Sequence, residues 1–399
     1  MKPLSRIKVQ KNTLLEALKK ASKARLSSSR CEKMGKDYIF CCFVFHLGEP
    51  GILKVMTSDY HKHMTVSVPL VSERGFGTFA AVPEDLLPIL RRLDNQDLII
   101  EFNECRMTVC HSYGTFTLPL VTEGIGNFVK LYVNEKHRST CHKLELEASF
   151  FRSMLNRLRK HTDYGLRPVL AGICIRRKGG RVDFIASNGL RLMCITKPDE
   201  EITLASTLVI SNECVEVLKR ITPTQGNVLL EYTEWKEDSN ETPICRFKTD
   251  DEETSFWFTL TGGKYPDYNK VIPKNSPYSC VIEKKELFNS LDRLHFFASV
   301  SDIVRVKVKN GYMQIFAKDK DFDIESSESL ECEKTGKNFK FALKTENVCE
   351  LLSTLHCKKV RILAGEPERA IVVMPDVQPE NENITTLFMP CAVLEDDEE

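Results

Sequence analysis

The sequence predicts an α+β protein built from three similar domains, each with two helices and antiparallel sheets. Three observations carry this. One hairpin pattern is written three times at wide, similar spacing, at Val55 to Val66, Phe184 to Thr196 and Gln314 to Ser326. Six segments have helical apolar spacing, with starts separated by roughly 60 to 75 residues, too far apart for a bundle joined by short loops. After the second, fourth and sixth of them come three alternating strands.

The clearest copy of the hairpin is Phe184-Ile-Ala-Ser-Asn-Gly-Leu-Arg-Leu-Met-Cys-Ile-Thr196. Asn188-Gly189 between apolar segments is a strong turn signal, because both residue types tolerate positive φ. The first helix is expected over Thr13 to Arg25, with Leu14, Leu15, Leu18 and Ala21 on one face. The second, Pro83 to Asp94, opens with Pro-Glu-Asp, a favourable first turn, and carries Leu86, Leu87, Leu90 and Leu93. Ala148 to His161 buries Phe151, Met154, Leu155 and Leu158; Ser211 to Thr222 buries Val215, Leu218 and Ile221. Lys284 to Leu294 and Lys344 to Lys359 complete the set with Leu287, Phe288, Leu291, Leu294, Val348, Leu351, Leu352 and Leu355.

The strand triplets are expected at Leu98 to Phe102, Arg106 to Cys110 and Thr115 to Leu120; at Asn227 to Tyr232, Pro243 to Lys248 and Ser255 to Leu260; and at Val360 to Leu363, Ala370 to Met374 and Thr386 to Met389. Gly179-Gly180 turns a further hairpin between Cys174 to Arg177 and Arg181 to Ile185. Polar connectors near 131–141 and 273–279 divide the chain into domains at 1–131, 141–273 and 279–394, with an acidic tail at 395–399.

At 399 residues and 42% hydrophobic content the chain exceeds what one core serves, in agreement with several domains. No apolar run reaches membrane-span length, and Met-Lys-Pro-Leu-Ser-Arg lacks the apolar core of a signal peptide, so a cytoplasmic protein is expected. Fifteen cysteines at irregular spacing, without a Cys-x-x-Cys pair, read as reduced packing residues.

Fifty-six basic residues balance fifty-six acidic ones, so bulk charge does not draw the chain to nucleic acid. Its distribution is uneven. Glu395 to Glu399 are all acids, and the six helical segments together carry a net +8. Basic residues gather at the helix ends: Lys19, Lys20, Lys23 and Arg25; Arg91 and Arg92; Arg157, Arg159 and Lys160; Lys219 and Arg220; Arg293; Lys358 and Lys359. Each group alone fits the negative end of a helix dipole. Together they make a shared basic face if the helices line one surface.

Other local motifs are weak. His61 and His63 share strand spacing but lack the further ligands of a recognisable metal site, which favours two solvated imidazoles. Thr261-Gly-Gly-Lys264 lacks the first glycine and the final Ser or Thr of a phosphate loop. The sequons at Asn240 and Asn383 are chance matches in a chain that is not secreted. No nucleophile-base or paired-carboxylate set has informative spacing, and no cofactor is expected.

Gly263-Lys-Tyr-Pro-Asp-Tyr-Asn-Lys-Val-Ile-Pro273, a stiff segment with two aromatics and two prolines, joins two domains. Together with Ala186-Ser-Asn-Gly-Leu-Arg-Leu192 and the terminal Leu387-Phe-Met-Pro390, it resembles the beta subunit of bacterial DNA polymerase III, the sliding clamp. That family's usual forms are close to Gly-x-Phe-Pro-Asp-Tyr-x-x-Val-Ile-Pro, Ala-Thr-Asp-Gly-His-Arg-Leu and Met-Pro-Met. The resemblance spans nearly the whole chain and is weakest over the first sixty residues.

The resemblance implies a head-to-tail homodimeric ring, a non-catalytic processivity factor that encircles duplex DNA without sequence preference and serves a replicative polymerase and a clamp loader. Twelve helices at about 10 Å each would surround a hole of about 38 Å diameter. The DNA-facing residues it implies are Lys19, Lys20, Lys23, Arg25, Arg91, Arg92, Arg152, Arg157, Arg159, Lys160, Lys219 and Arg220. The dimer contact would use Phe116, Leu118, Phe296 and Phe297. The family's partner-peptide cleft maps onto Leu170, Ser187, Gly189, Leu190, Arg191, Leu192, Pro266, Lys270, Val271, Ala370, Phe388, Met389, Pro390 and Cys391, with Arg191 and Lys270 expected at its polar edge. Leu190 stands where the family has histidine, and Cys391 where it has the last methionine. A clamp-shaped scaffold or decoy that is never loaded on DNA is the alternative reading.

Overall fold

The repetition written in the sequence is a repetition of topology. The computed structural model describes residues 4–35, 37–81, 83–130, 140, 142–163, 167–198, 202, 204–239, 241–251, 253–319, 321–366 and 369–392. The first repeat contains β1 (Ser5–Gln10), α1 (Lys11–Ala21), α2 (Ser28–Met34), β2 (Phe43–Glu49), β3 (Ile52–Ser58), β4 (Lys62–Pro69), β5 (Ser72–Arg74), β6 (Gly77–Ala81), α3 (Pro83–Arg92), β7 (Asp97–Phe102), β8 (Arg106–His111) and β9 (Gly114–Pro119). The second contains β10 (His142–Glu147), α4 (Ala148–Leu158), β11 (Gly172–Arg177), β12 (Arg181–Ser187), β13 (Arg191–Pro198), β14 (Leu208–Ser211), α5 (Asn212–Ile221), β15 (Asn227–Tyr232), β16 (Ile244–Thr249) and β17 (Thr254–Thr259). The third contains β18 (Tyr278–Glu283), α6 (Lys284–Leu294), β19 (Ile303–Lys309), β20 (Tyr312–Asp319), β21 (Ile324–Glu331), β22 (Glu333–Thr335), β23 (Phe339–Lys344), α7 (Thr345–Ser353), β24 (Lys359–Ala364), β25 (Ile371–Pro375) and β26 (Asn383–Phe388).

In each repeat the opening strand pairs antiparallel with the strand after the second helix: β1 with β7, β10 with β15, β18 with β24. In each, the strand before the second helix returns to the strand that begins the first triplet: β6 to β2, β14 to β11, β23 to β19.

Contacts divide the chain into two compact units. One is Met1–Arg152 with Glu216–Leu260, the other Ser153–Val215 with Thr261–Glu399. The first unit holds a five-stranded sheet, β5-β1-β7-β8-β9, and an eight-stranded sheet, β10-β15-β16-β17-β4-β3-β2-β6. The second holds a nine-stranded sheet, β14-β11-β12-β13-β26-β25-β24-β18-β22, and a four-stranded sheet, β21-β20-β19-β23. Each large sheet is a fusion of two repeats, through β4·β17 in one and β13·β26 in the other. The second repeat therefore gives half its strands to each unit.

In the first unit α1 buries Leu14, Leu15, Leu18 and Ala21, the stripe its spacing predicts, and α3 buries Leu86, Leu87 and Leu90. Phe79 stacks on Phe102 at 4.4 Å, with Phe45 5.9 Å from Phe102. In the second unit α6 packs on α7, with Leu287, Leu291, Leu294, Val348, Leu351 and Leu352 buried.

Several expectations shift. α1 ends at Ala21, so Lys23 and Arg25 follow the helix instead of closing it. α4 ends at Leu158 and a 3-10 turn, Arg159–His161, continues it. α7 stops at Ser353, and Lys359 begins β24, where it pairs with Glu333 at 2.8 Å; no helix dipole acts on it. The short helix α2 has no counterpart in the sequence reading, since Ser28-Ser-Arg-Cys-Glu-Lys-Met34 lacks an apolar stripe. The connector at 131–139 and 141 and the acidic tail at 395–399 lie outside the described residues.

The turn chemistry is also more specific than the expectation. Gly189 takes φ +87° but Asn188 does not have positive φ; its side chain instead accepts from the N–H groups of Leu190 and Arg191. Asp59 does the same for His61 and Lys62, and Asp319 for Asp321 and Phe322. A short carboxyl or amide side chain caps all three hairpins. In the first, the cap leaves His61 exposed and His63 buried, so the two imidazoles do not share a surface. Burial pushes His63 down to about 4, and the described residues hold no His, Cys, Asp and Glu group suited to a metal ion.

Candidate functional sites

The predicted partner cleft lies within the second unit. β13 pairs with β26 so that Arg191 faces Phe388 and Leu192 faces Leu387, and the Met389 N–H donates to the Leu190 carbonyl at 2.7 Å. These bonds bring the Ser187 to Leu192 turn and the Leu387 to Cys391 segment together. On one face of the sheet, Leu170, Leu192 and Ala370 pack in a buried cluster with Ile185, Tyr265, Tyr268, Val372 and Leu387. Leu190, Val271 and Met389 stand above it 55%, 50% and 39% exposed, with Pro266 and Lys270 also exposed. Large apolar side chains held at that exposure leave an apolar patch open to solvent. Ser187 Oγ donates to the Arg191 carbonyl and accepts from the Gly189 N–H, fixing the turn, while Cys391 N–H donates to Ala342 at 2.9 Å.

The segment over the cluster is pinned from below. Asp183, fully buried, accepts from Thr196 Oγ1 at 2.7 Å and from the Tyr268 hydroxyl, and Arg176 lies 4.8 Å from the Tyr268 ring. Burial and the bond to Asp183 push the Tyr268 hydroxyl up.

Strand alternation corrects two cleft expectations. Phe388 points to the opposite face from Leu387, where it meets Phe341 at 6.2 Å; it is core, not pocket lining. Arg191 points the same way and is buried. Its guanidinium pairs with Glu350, reaches Asn347 at 3.3 Å and donates to the Lys160 carbonyl at 2.9 Å, so it ties β13 to α7 and leaves Lys270 as the exposed cation.

The predicted DNA-facing residues separate into two kinds. In the first unit, Lys23 is exposed, and its pKa is lowered by partial burial and then by Arg220, Arg91 and Arg25. Four cations from three helix ends thus converge. Lys19 and Lys219 each reach a glutamate one turn back, and Arg92 donates to the Pro88 carbonyl; Lys20 is half-buried. Arg152 spends one donor on the Thr222 carbonyl beyond α5. In the second unit, Arg159 donates to Thr162 and exposed Lys160 to Ser353. Arg157 corrects the expectation: it is 6% exposed, donates to the Thr354 carbonyl at 3.1 Å and pairs with Glu382 at 3.1 Å. It is a structural arginine.

Of the predicted dimer residues, Leu118 is buried inside the first unit and Phe116 half-buried on β9. Phe296 is 76% exposed and Phe297 37%. Phe322 and Ile324, not anticipated, are exposed at the start of β21. β9 and β21 are edge strands, each paired on one side only.

Residues 269–392 match the family model described as DNA polymerase III beta subunit, C-terminal domain. The chain is 22% identical over 322 residues to the beta sliding clamp of Pseudomonas aeruginosa, covering 78% of this chain and 77% of that one. It is 21% identical over 323 residues to the beta sliding clamp of Haemophilus influenzae, covering 78% and 81%. Among solved structures, the DNA polymerase III beta subunit of Thermotoga maritima superposes with a TM-score of 0.82 at 15% identity, covering 98% of this chain and all of that one. In sequence the chain is similar to beta sliding clamps over about three quarters of its length, and its fold is theirs. The DnaN sliding clamp of Pseudomonas aeruginosa bound to griselimycin gives the same TM-score at 18% identity, with 98% and 100% covered.

This sliding clamp fold accounts for what the motifs do in the chain. The Gly263 to Pro273 segment roofs the apolar cluster, and Tyr265 stands where the family's usual form has phenylalanine. Burial pushes the pKa of its hydroxyl up. The residues expected to line the cleft leave out Ile185, Val372 and Leu387, which join Leu170, Leu192 and Ala370 in the buried cluster and whose signal was the alternation of β12, β25 and β26.

Proposed function

We propose that the chain is a DNA sliding clamp, a non-catalytic processivity factor in which two copies close around duplex DNA and hold a polymerase, a loader and other replication proteins through the cleft. The repeat boundaries at 1–131, 141–273 and 279–394 are read as its three domains, and the cytoplasm as its place of work. No helix among the described residues is long and apolar enough to cross a membrane.

The observation that carries the reading is the way repeats join. In β4·β17 and β13·β26 the last strand of one repeat's first triplet pairs with the last strand of the next repeat's second triplet. The corresponding strands left over are β21 of the third repeat and β9 of the first, and both are unpaired edges. A second copy supplies the missing partner for each, β21 against β9, and a twofold axis makes the two contacts equivalent. Closure into a ring explains how a chain of zero net charge stays on DNA: a topological link needs only weak phosphate contacts, which permit sliding. Leu190, Val271 and Met389 then serve as the anchor for a partner peptide.

Sedimentation at micromolar concentration should find a dimer, and Phe296→Ala with Phe297→Ala should raise its dissociation constant about tenfold or more, as loss of interface aromatics does. Loaded protein should remain on closed circular DNA and leave after linearisation. A wild-type monomer, or equal retention on both DNA forms, overturns the reading.

A further inference from the structure

We propose that the outer face of the four-stranded sheet is a docking surface for the chain's own acidic segment, residues 393–399, which adds to the edge of β23. The strand order β21-β20-β19-β23 gives β23 a full partner, β19, on one side only. On its other side Cys391 makes an isolated antiparallel bridge to Ala342, its N–H donating to the Ala342 carbonyl at 2.9 Å. The described residues end at Ala392, beside that open edge. Antiparallel pairing continued in the register of the bridge sets Val393 opposite Lys340 and Glu395 opposite Asn338.

The face beside this edge is basic. Val304, Val306 and Val308 of β19 are buried on the inner side, so Arg305, Lys307 and Lys309 point outward, the two lysines exposed. Lys307 stands opposite Lys340 and Arg305 opposite Ala342, which puts exposed Lys340 and Lys344 of β23 on the same outer side. Lys307 Nζ lies 5.7 Å from the centre of the Phe316 ring on β20. Among the described strand residues, the acids of this face are Glu325 and Glu331, both on β21 at the far edge. Glu325 pairs with Lys318 at 3.3 Å, and Glu331 is two strand spacings, about 10 Å, from β19. Glu395, Asp396, Asp397, Glu398 and Glu399 supply five acids for the five cations.

The reach suffices. An extended chain advances about 3.4 Å per residue, so Glu395 comes about 14 Å beyond Cys391, one strand spacing from β23 and two from the lysines of β19. Exposed ion pairs are individually weak. Tethering compensates, because it holds the acids beside the surface at an effective concentration no free peptide reaches. The docked segment covers the open edge of β23 and offsets a basic face that would otherwise attract polyanions.

A water-soluble carbodiimide, which joins a carboxylate to an adjacent amine as an amide and takes up the water released, tests this on the full-length protein at low salt. Mass spectrometry should find residues 395–399 linked to Lys307, Lys309, Lys340 or Lys344 at least tenfold more often than to Lys143 or Lys358, two strongly exposed amines. The links should disappear at about 1 M salt, where the screening length is about 3 Å. An equilibrated mixture of isotope-labelled and unlabelled protein should show them within one copy. By NMR, deletion of residues 393–399 should speed hydrogen exchange of the Lys340 amide tenfold or more and leave that of Phe341, on the β19 side, unchanged. Links between copies, equal yields at Lys143 and Lys358, or an unchanged Lys340 exchange rate overturns the proposal.

Discussion

Lys23 and Arg157 occupy similar places in the sequence, each a cation near the end of the first helix of a repeat, yet the structure uses them in opposite ways. Lys23, in the first unit, is exposed and gathers more positive charge around it, from Arg25, Arg91 and Arg220. Arg157, in the second unit, is buried and matched by Glu382 and the Thr354 carbonyl. Like charges kept together at a surface lower stability slightly and persist where a polyanion offsets them; a buried cation persists only where acceptors replace its water. The contrast shows that a count of basic residues at helix ends overstates the exposed positive surface, because some of them are internal ties.

Arg157→Ala gives the largest expected effect. It leaves Glu382 and the Thr354 carbonyl without their partner, and removal of one member of a buried pair costs about 3–5 kcal/mol. Urea unfolding would read it; a loss below about 1 kcal/mol would place Arg157 with the surface cations and erase the distinction.

A smaller effect separates the same region by pH. His161 is buried beside Arg157, Arg191 and Lys160, and burial first, then those cations, push it down to about 3. The unfolded chain takes up a proton near pH 6.5 while the native state does not. The stability from this group is therefore full above pH 6.5 and falls by about 1.4 kcal/mol per pH unit as the pH drops toward 3. Between pH 6.5 and 5, where carboxylates contribute little, His161→Asn should flatten the stability profile by that slope. An unchanged slope would mean that His161 is hydrated in solution.

The smallest effect on stability belongs to the first unit. Reversing Lys23 and Arg91 to Glu should change unfolding by less than about 0.5 kcal/mol, since surface substitutions away from special features rarely do more. It should nevertheless weaken DNA association and reduce its dependence on log salt by about 0.9 for each phosphate that the variant no longer neutralises. Intact DNA binding with lowered stability would reverse the assignment of the two regions.

Much of the fold was legible because its signals are local. The stripe Leu14, Leu15, Leu18 and Ala21 specifies which face of α1 is buried whatever it packs against, and Gly179-Gly180, at φ +60° and +75°, turns its hairpin as expected. By resemblance, residues 186–192, 263–273 and 387–390 were expected to share a surface, and the structure brings the first and the last of them together through β13 and β26. Alternation along β26 carried the further fact that Leu387 and Phe388 point to opposite sides, which the motif by itself conceals.

Other features depend on residues far apart in the chain. Glu382 is 225 positions from Arg157 and Glu350 is 159 from Arg191, so neither arginine could be recognised as internal from its neighbours. The pairing of β4 with β17 and of β13 with β26 joins strands whose patterns say only that each has one apolar face. The sequence determined six of the helices, the strand triplets, their faces and the threefold repeat, because backbone periodicity and turn chemistry act over a few residues. Tertiary structure decided which cations lost their water, which strands fused and which edges stayed open, because burial and sheet pairing are settled by whatever the rest of the chain brings alongside.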